Sequence, residues 1–387
     1  MIGLKKYAHT HNLKIIEVLT ESTVLTPDPN VFPVSSQLYL STEQSQRKFP
    51  PVYVATICNA VVHGGTNLIC AEDGVIHHDL YDFRRDYTSE ELGGRHSIDV
   101  KRSRIRLLYE DVKPFHMSIA ACFVDACAQN YAHWLTEVLT RIASFCSLEK
   151  YAHVPLIVDE GLHENIMQSL YVIAGSNRQI VVLPIGRAIK VESLLVTSVA
   201  GYIPFERRNG CADGHSHGTF SASALRLMCN TVLNYVEKIS TEHLPQKIYL
   251  ERGQTHRSVT NEEQIKAQLV KLGFSAIRLD TLDFIQQAAF LRHAKIVVGA
   301  TGAALANLIF SNIDQSIHIL IAKLPGMPYM YWPNMVSMHS LRVNYVLGEA
   351  SSLTQGIHAN FYIDPENVFQ SISSTSILCC SALKEMD

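Results

Sequence analysis

Residues 295–310 restrict the fold more than any other stretch of the chain. The run Lys295-Ile-Val-Val-Gly-Ala-Thr-Gly-Ala-Ala-Leu-Ala-Asn-Leu-Ile-Phe310 opens on three β-branched apolar residues, Ile296, Val297 and Val298, which is the composition of a buried strand. Gly299 and Gly302 then bracket a tight turn, and 303–310 is composed for a helix that starts on small residues. Such a βα unit belongs in a parallel sheet. It is also a simple anion site, because the leading N–H groups of a helix have no internal partner and point out of its positive end. Small side chains let a diphosphate approach the backbone closely. The alternative is a βα turn whose glycines serve packing alone.

The same alternation recurs on both sides of this unit. From residue 116 onward, strand patterns at 117–124, 155–158, 179–183 and 191–199 alternate with helical patterns at 130–145 and 164–174. The polar run from Arg207 to His217 reads as a loop, and 221–238 as a helix leading away from it. A second series starts at 247–250. Thr260 and Glu263 are spaced as a capping box for a helix ending at Gly273, and Asp283 and Gln286 as another. Strands at 276–279, 317–321 and 343–346, a helix at 329–339 and a tail helix at 367–373 complete it. The expected class is α/β, with two Rossmann-like domains facing a cleft and ligands outside the carboxyl ends of the strands.

At 387 residues, and with ~150 residues per domain, two domains are expected. The boundaries read as 1–115, an irregular β-containing N-terminal extension of the acceptor domain; 116–240, the acceptor domain; 241–350, the donor domain; and 351–387, a helical tail. Strand candidates in the first part are 51–57, 74–77 and 105–109. There Arg102, Arg104 and Arg106 would share one strand face, either as a ridge for an anionic acceptor or lipid headgroups or as a charge-guarded edge.

A net charge of −3 argues against nucleic acid as a partner. No apolar run reaches the ~18 residues of a membrane span, and the start lacks a signal-peptide core. The nine cysteines show no Cys-x-x-Cys spacing, which fits a reducing cytoplasm rather than a disulfide framework.

Three constellations carry chemistry. On the 130–145 helix, His133, Glu137 and Arg141 recur every fourth residue, so a carboxylate can orient an imidazole and raise its basicity for proton abstraction. The other reading is a solvated ladder worth tenths of a kcal/mol per pair. Asp125, at a strand end, is a competing base. Arg252 and Arg257 flank a strand end and a helix start, where two guanidiniums could clamp a diphosphate without a divalent metal, or pair with Glu251 or Glu262. The absence of any Asp-x-Asp also argues against a metal-held nucleotide sugar. Cys211, His215 and His217 share a loop, but no fourth ligand or zinc spacing accompanies them, so a mobile loop over the cleft is expected and no metal.

Taken together, these stretches resemble glycosyltransferase family 61. Asn130, Tyr131, His133, Trp134, Leu135, Glu137, Leu139 and Arg141 follow its Asn-Tyr-x-His-Trp-Leu-x-Glu-x-Leu-Pro-Arg helix, with Thr140 in place of the proline. Arg252, Arg257, Asn261 and Glu262 follow its second motif, with Glu251 where a serine precedes the arginine. Gly299, Gly302, Ala303, Leu305 and Asn307 follow the third, with Ala300-Thr301 in place of Pro-His. The resemblance covers roughly 118–348 and leaves out 1–115.

The resemblance implies a GT-B architecture, a nucleotide-sugar donor, an oligosaccharide or lipid-linked glycan acceptor, no cofactor or metal, and inversion at the anomeric carbon. His133, Glu137 or Asp125 would be the base. Arg252, Arg257, Asn261, Gly299, Thr301, Gly302, Ala303 and Asn307 would hold the donor, and Arg141, His215 and His217 the acceptor. A bacterial cytoplasmic enzyme of surface polysaccharide synthesis, in peripheral contact with the membrane, is the expected setting. Two rival readings follow from the departures and from the fold: a non-catalytic nucleotide- or carbohydrate-binding protein, and a nucleotide-sugar epimerase or hydrolase.

Overall fold

The computed structural model of the chain describes residues 1–39, 46–108, 113–208, 211–215, 217–253 and 256–382. The polypeptide divides into two compact units, one comprising residues 1–23 and 48–232 and the other 24–47 and 233–387.

The first unit is built on a nine-stranded sheet. Its parallel part contains β1 (Phe115–Cys122), β2 (Leu156–Asp159), β3 (Ile180–Leu183) and β4 (Ala188–Thr197), in the spatial order β3-β2-β1-β4. The long strand Val52–His63 then runs antiparallel to β4, with Val54 opposite Thr197. Chain order therefore reverses between β1 and β4. That reversal opens a crevice at the carboxyl ends of these two strands, the place where open α/β sheets bind ligands. The sheet is secured by apolar residues such as Ile57, Val62, Ala120, Ile157, Val191 and Leu194, all buried in one cluster. Each of the Ile, Val and Leu side chains contributes about 1.5–3 kcal/mol on burial.

The helical pattern predicted at 130–145 is present with an altered pitch. Asn130 caps it by accepting from the Ala132 amide at 3.0 Å. One α-turn, Tyr131–His133, leads into a π-helical segment, Trp134–Val138, before the α-helix Leu139–Cys146. Trp134, Leu135, Val138, Leu139, Ile142 and Phe145 form the expected apolar stripe and are fully buried. Periodicity alone does not distinguish the wider turn, and π-segments occur frequently at functional sites. Gly201 accommodates it: a Cβ there would lie 2.2 Å from the Thr136 carbonyl oxygen.

Where a loop is predicted at 207–217, strands Phe205–Arg208 and Cys211–His215 pair with each other, and Phe205–Arg208 also pairs with Asp86–Tyr87. That second partner lies over a hundred residues earlier, so no local pattern announces it. Asn209, Gly210 and Ser216 fall outside the described residues. Of the predicted strand 105–109, Tyr109 lies outside them too. The observed strand is Arg104–Leu107, paired with His96–Asp99, and it leaves Arg104 and Arg106 exposed while Arg102 bonds Asp99.

The second unit has a seven-stranded sheet. Five parallel strands, β5 (Lys247–Leu250), β6 (Ser275–Ile277), β7 (Ile296–Ala300), β8 (Ser316–Lys323) and β9 (Val343–Ala350), lie in the order β6-β5-β7-β8-β9. Here the order reverses between β5 and β7. Asn30–Phe32 adds a further parallel strand beside β9, and Phe361–Tyr362 an antiparallel one.

Two helix starts behave differently. Asp283 and Gln286 form both bonds of the predicted capping box. The box predicted at Thr260 and Glu263 does not form, and the helix Glu262–Lys271 follows Asn261 without a side-chain cap. The Asn261 amide instead bonds both backbone groups of Ile363, at 2.8 and 3.1 Å. The segment Ala303–Phe310 is a 3₁₀-helix rather than an α-helix. The tail helix is longer than predicted and spans Pro365–Ala382. Among the described residues no helix is long and apolar enough to cross a membrane.

Candidate active site

A pocket with about 860 Å³ of free space, its open mouth included, lies in the first unit at the reversal between β1 and β4. Asp125 reaches it from just beyond β1, and His133, Glu137 and Arg141 from the π-bulged helix. Thr197 ends β4, and Gly201–Phe205 follow it along the wall. The crevice therefore gathers the whole first constellation.

The polar ladder is buried rather than solvated: the His133 and Glu137 side chains are only 16% and 12% exposed. His133 Nδ1 is hydrogen-bonded to Glu137 Oε2. The other carboxylate oxygen accepts from the Ile203 amide at 2.8 Å. Burial opposes charge on the ring, but the adjacent Glu137 outweighs it and His133 is raised above its ordinary value. Burial also raises Glu137, against the pull of His133 and the Ile203 amide. Nε2 is the ring nitrogen that this contact does not engage.

Arg141 acts as a brace. Its Nε donates to the Glu137 carbonyl at 2.9 Å and its Nη2 to Asp125 Oδ2 at 2.9 Å, with both side chains nearly buried. Asp125 is held further by Asp159 at the end of β2, whose carboxylate accepts the Asp125 amide at 2.8 Å and the Gly65 amide at 3.0 Å. Burial raises Asp159 to about 7, with those amides pulling the other way.

In the second unit, Arg252 stands just past β5, and Thr301 and Gly302 just past β7, on the two strands that flank the reversal. Arg252 Nη1 donates to the Thr301 carbonyl. Gly302 permits this approach, since a Cβ there would fall 2.3 Å from that nitrogen. Arg252 is lowered to about 10, first by burial and then by the charge of Arg257. Burial lowers Arg257 as well. Two partly desolvated guanidiniums, one of them further disfavoured by the other's charge, are relieved by an anion. Arg257 occupies the left-handed region at φ 63°, and its Nε is buried without a hydrogen-bond partner among the described residues. Such strain, about 1–3 kcal/mol, concentrates at functional positions.

Glu251, where a carboxylate would repel a diphosphate, is paired with Lys266 at 3.3 Å. Glu262 accepts from the Arg252 amide and the Tyr249 hydroxyl, at 3.1 and 2.9 Å. Gly299 is buried in β7, and Ala303 opens the 3₁₀-helix. Thr301 is buried and its hydroxyl accepts from Trp332 Nε1 at 3.2 Å. Asn307 is fully buried and donates to Gln287 and the Ala304 carbonyl, so it supports the turn from behind. Asn261 spends its amide on Ile363, as above. His217 is exposed and is not among the residues lining the first-unit pocket, and His215 lies on the strand Cys211–His215. Among the described residues no cluster of three or more His, Cys, Asp or Glu is placed to hold a metal ion.

Sequence reasoning missed Glu90 and Asp159. Glu90 lines the pocket from the helix Ser89–Leu92, whose capping box, Thr88 with Glu91, was readable. Asp159 was marked only by its place at the end of an apolar strand.

Two α/β units, one with an acid–base pair at its strand reversal and the other with guanidiniums and a glycine turn at its own, have the parts of a group-transfer enzyme. The family model of glycosyltransferase 61 matches residues 131–318, from the His133 helix to the start of β8. Over this span the chain is similar to that family, and a domain of this kind supports a glycosyltransferase. No curated protein sequence matches it.

Proposed function

We propose that this glycosyltransferase is a GT-B enzyme that moves a sugar, with inversion and without a metal, from a nucleotide-sugar donor to a glycan hydroxyl in bacterial surface polysaccharide synthesis. One observation carries the donor reading: Arg252 and the Thr301–Gly302 turn meet at the strand reversal of the second sheet. Arg252, Arg257 and the leading amides of the 303–310 turn would carry the charge that develops on the diphosphate. The acceptor hydroxyl would enter the first-unit pocket. As its oxygen bonds the anomeric carbon, the bond to the diphosphate breaks and the hydroxyl proton passes to His133. Glu137 stabilises the imidazolium that results.

A thermal-shift screen across nucleotide sugars in the presence of a chelator tests this reading. At a ligand concentration of 100 Kd, binding adds about 2.7 kcal/mol of stability, a readily measured rise. Stabilisation by one nucleotide class with chelator present is expected. Stabilisation only after a divalent ion is restored contradicts the metal-free mechanism. Conversion of the donor with no acceptor present marks an epimerase or hydrolase instead.

A further inference from the structure

The chemistry of the first-unit pocket reaches beyond the proton transfer it is assigned. Of its three carboxyl groups, Asp125 is paired with Arg141 and Glu137 with His133. Glu90 is only 2% exposed and has no ion-pair partner among the described residues. Its Oε1 accepts from Thr66 Oγ1 and the Asn67 amide, each at 3.3 Å. A second, independent feature lies across the same pocket. Among the described residues, neither the hydroxyl of Thr197, which is 3% exposed at the end of β4, nor His78 Nδ1 has a hydrogen-bond partner. Unsatisfied buried polar groups of this kind are costly unless something else pairs with them. Part of the wall is aromatic: Tyr81, Tyr87, Tyr202 and the His78 ring, which lies 4.4 Å from Tyr202 between centroids.

From this arrangement we infer that the pocket takes an uncharged, hydroxyl-rich sugar ring of the acceptor and excludes anionic sugars, with Glu90 as the residue that sets this choice. Aromatic faces are electron-rich and suit the C–H faces of a pyranose. Glu90, Thr197 and His78 offer hydrogen-bond partners for ring hydroxyls. A carboxylate on the sugar would meet Glu90, the pocket carboxyl with no cation to offset it. The inference rests on the proposal that the acceptor enters this pocket, and it is tested separately from turnover.

Saturation-transfer NMR titrations with the full chain at pH 8.5 compare methyl glucoside with methyl glucuronide, and methyl galactoside with methyl galacturonide. Burial and Asp125 raise Glu90 to about 7, so the carboxylate form prevails at that pH. Each hexoside is expected to bind at least tenfold tighter than its uronide, and Glu90→Gln should shrink that ratio several-fold. Thr197→Val should weaken both hexosides and leave the ratio standing, which keeps the test decisive should Glu90→Gln fail to fold. Equal affinities, preference for the uronide, or binding of neither sugar overturns the inference. Discrimination without any transfer supports it and counts against the assigned base instead.

Discussion

Replacing His133 by alanine is expected to lower turnover by about 10²–10⁴-fold, the usual contribution of a general base, while nucleotide affinity is retained. The ring sits in a buried pair with Glu137, so removing it takes away the proton acceptor without touching the second unit. Glu137→Gln gives a more diagnostic result. The active ring is the deprotonated one, and Glu137 holds the ring's pKa above its ordinary value against burial. Without the carboxylate, burial remains and the ring's pKa falls. The acid limb of the kcat/KM profile should therefore move to lower pH even as its plateau drops. A limb that stays in place, or full activity in both variants, would transfer the role to Asp125.

The second large effect is on the donor. Arg257→Ala should weaken nucleoside diphosphate binding by more than tenfold, which corresponds to about 1.4 kcal/mol and is in the range of a charge-assisted hydrogen bond. Arg252→Ala should lose at least as much, because Arg252 also bonds the Thr301 carbonyl. Isothermal calorimetry on both variants reads this directly. Affinity unchanged in either case would remove that arginine from the clamp.

Much of this machinery is legible in the sequence because it is local. The strand–glycine–helix run at 295–310 and the four-residue spacing of His133, Glu137 and Arg141 both depend on neighbours within a few positions. What escaped depends on distant partners. The π-turn at Trp134–Val138 lies against Gly201, some sixty-five residues on in the chain, and the 3.6-residue period cannot register it. The burial of the polar ladder follows from the Ile203 amide and Asp125 closing over it, so a face that looks solvated in one dimension is interior in three. Asn261 and Asn307 match family positions, yet their amides are committed to Ile363, and to Gln287 and Ala304. A motif match does not distinguish a residue that touches the ligand from one that supports the residue that does. Glu90 shows the converse. It lies in the first 115 residues, where patterns are weakest, and only the sheet brings it beside Asp125.

The most direct test of the central claim compares a nucleoside diphosphate with its monophosphate by calorimetry, in chelator, for the nucleotide that the stability screen selects. A diphosphate clamp of two guanidiniums and a helix start predicts binding at least tenfold tighter for the diphosphate. Equal affinity for the two, or diphosphate binding that appears only with a divalent cation, would contradict it.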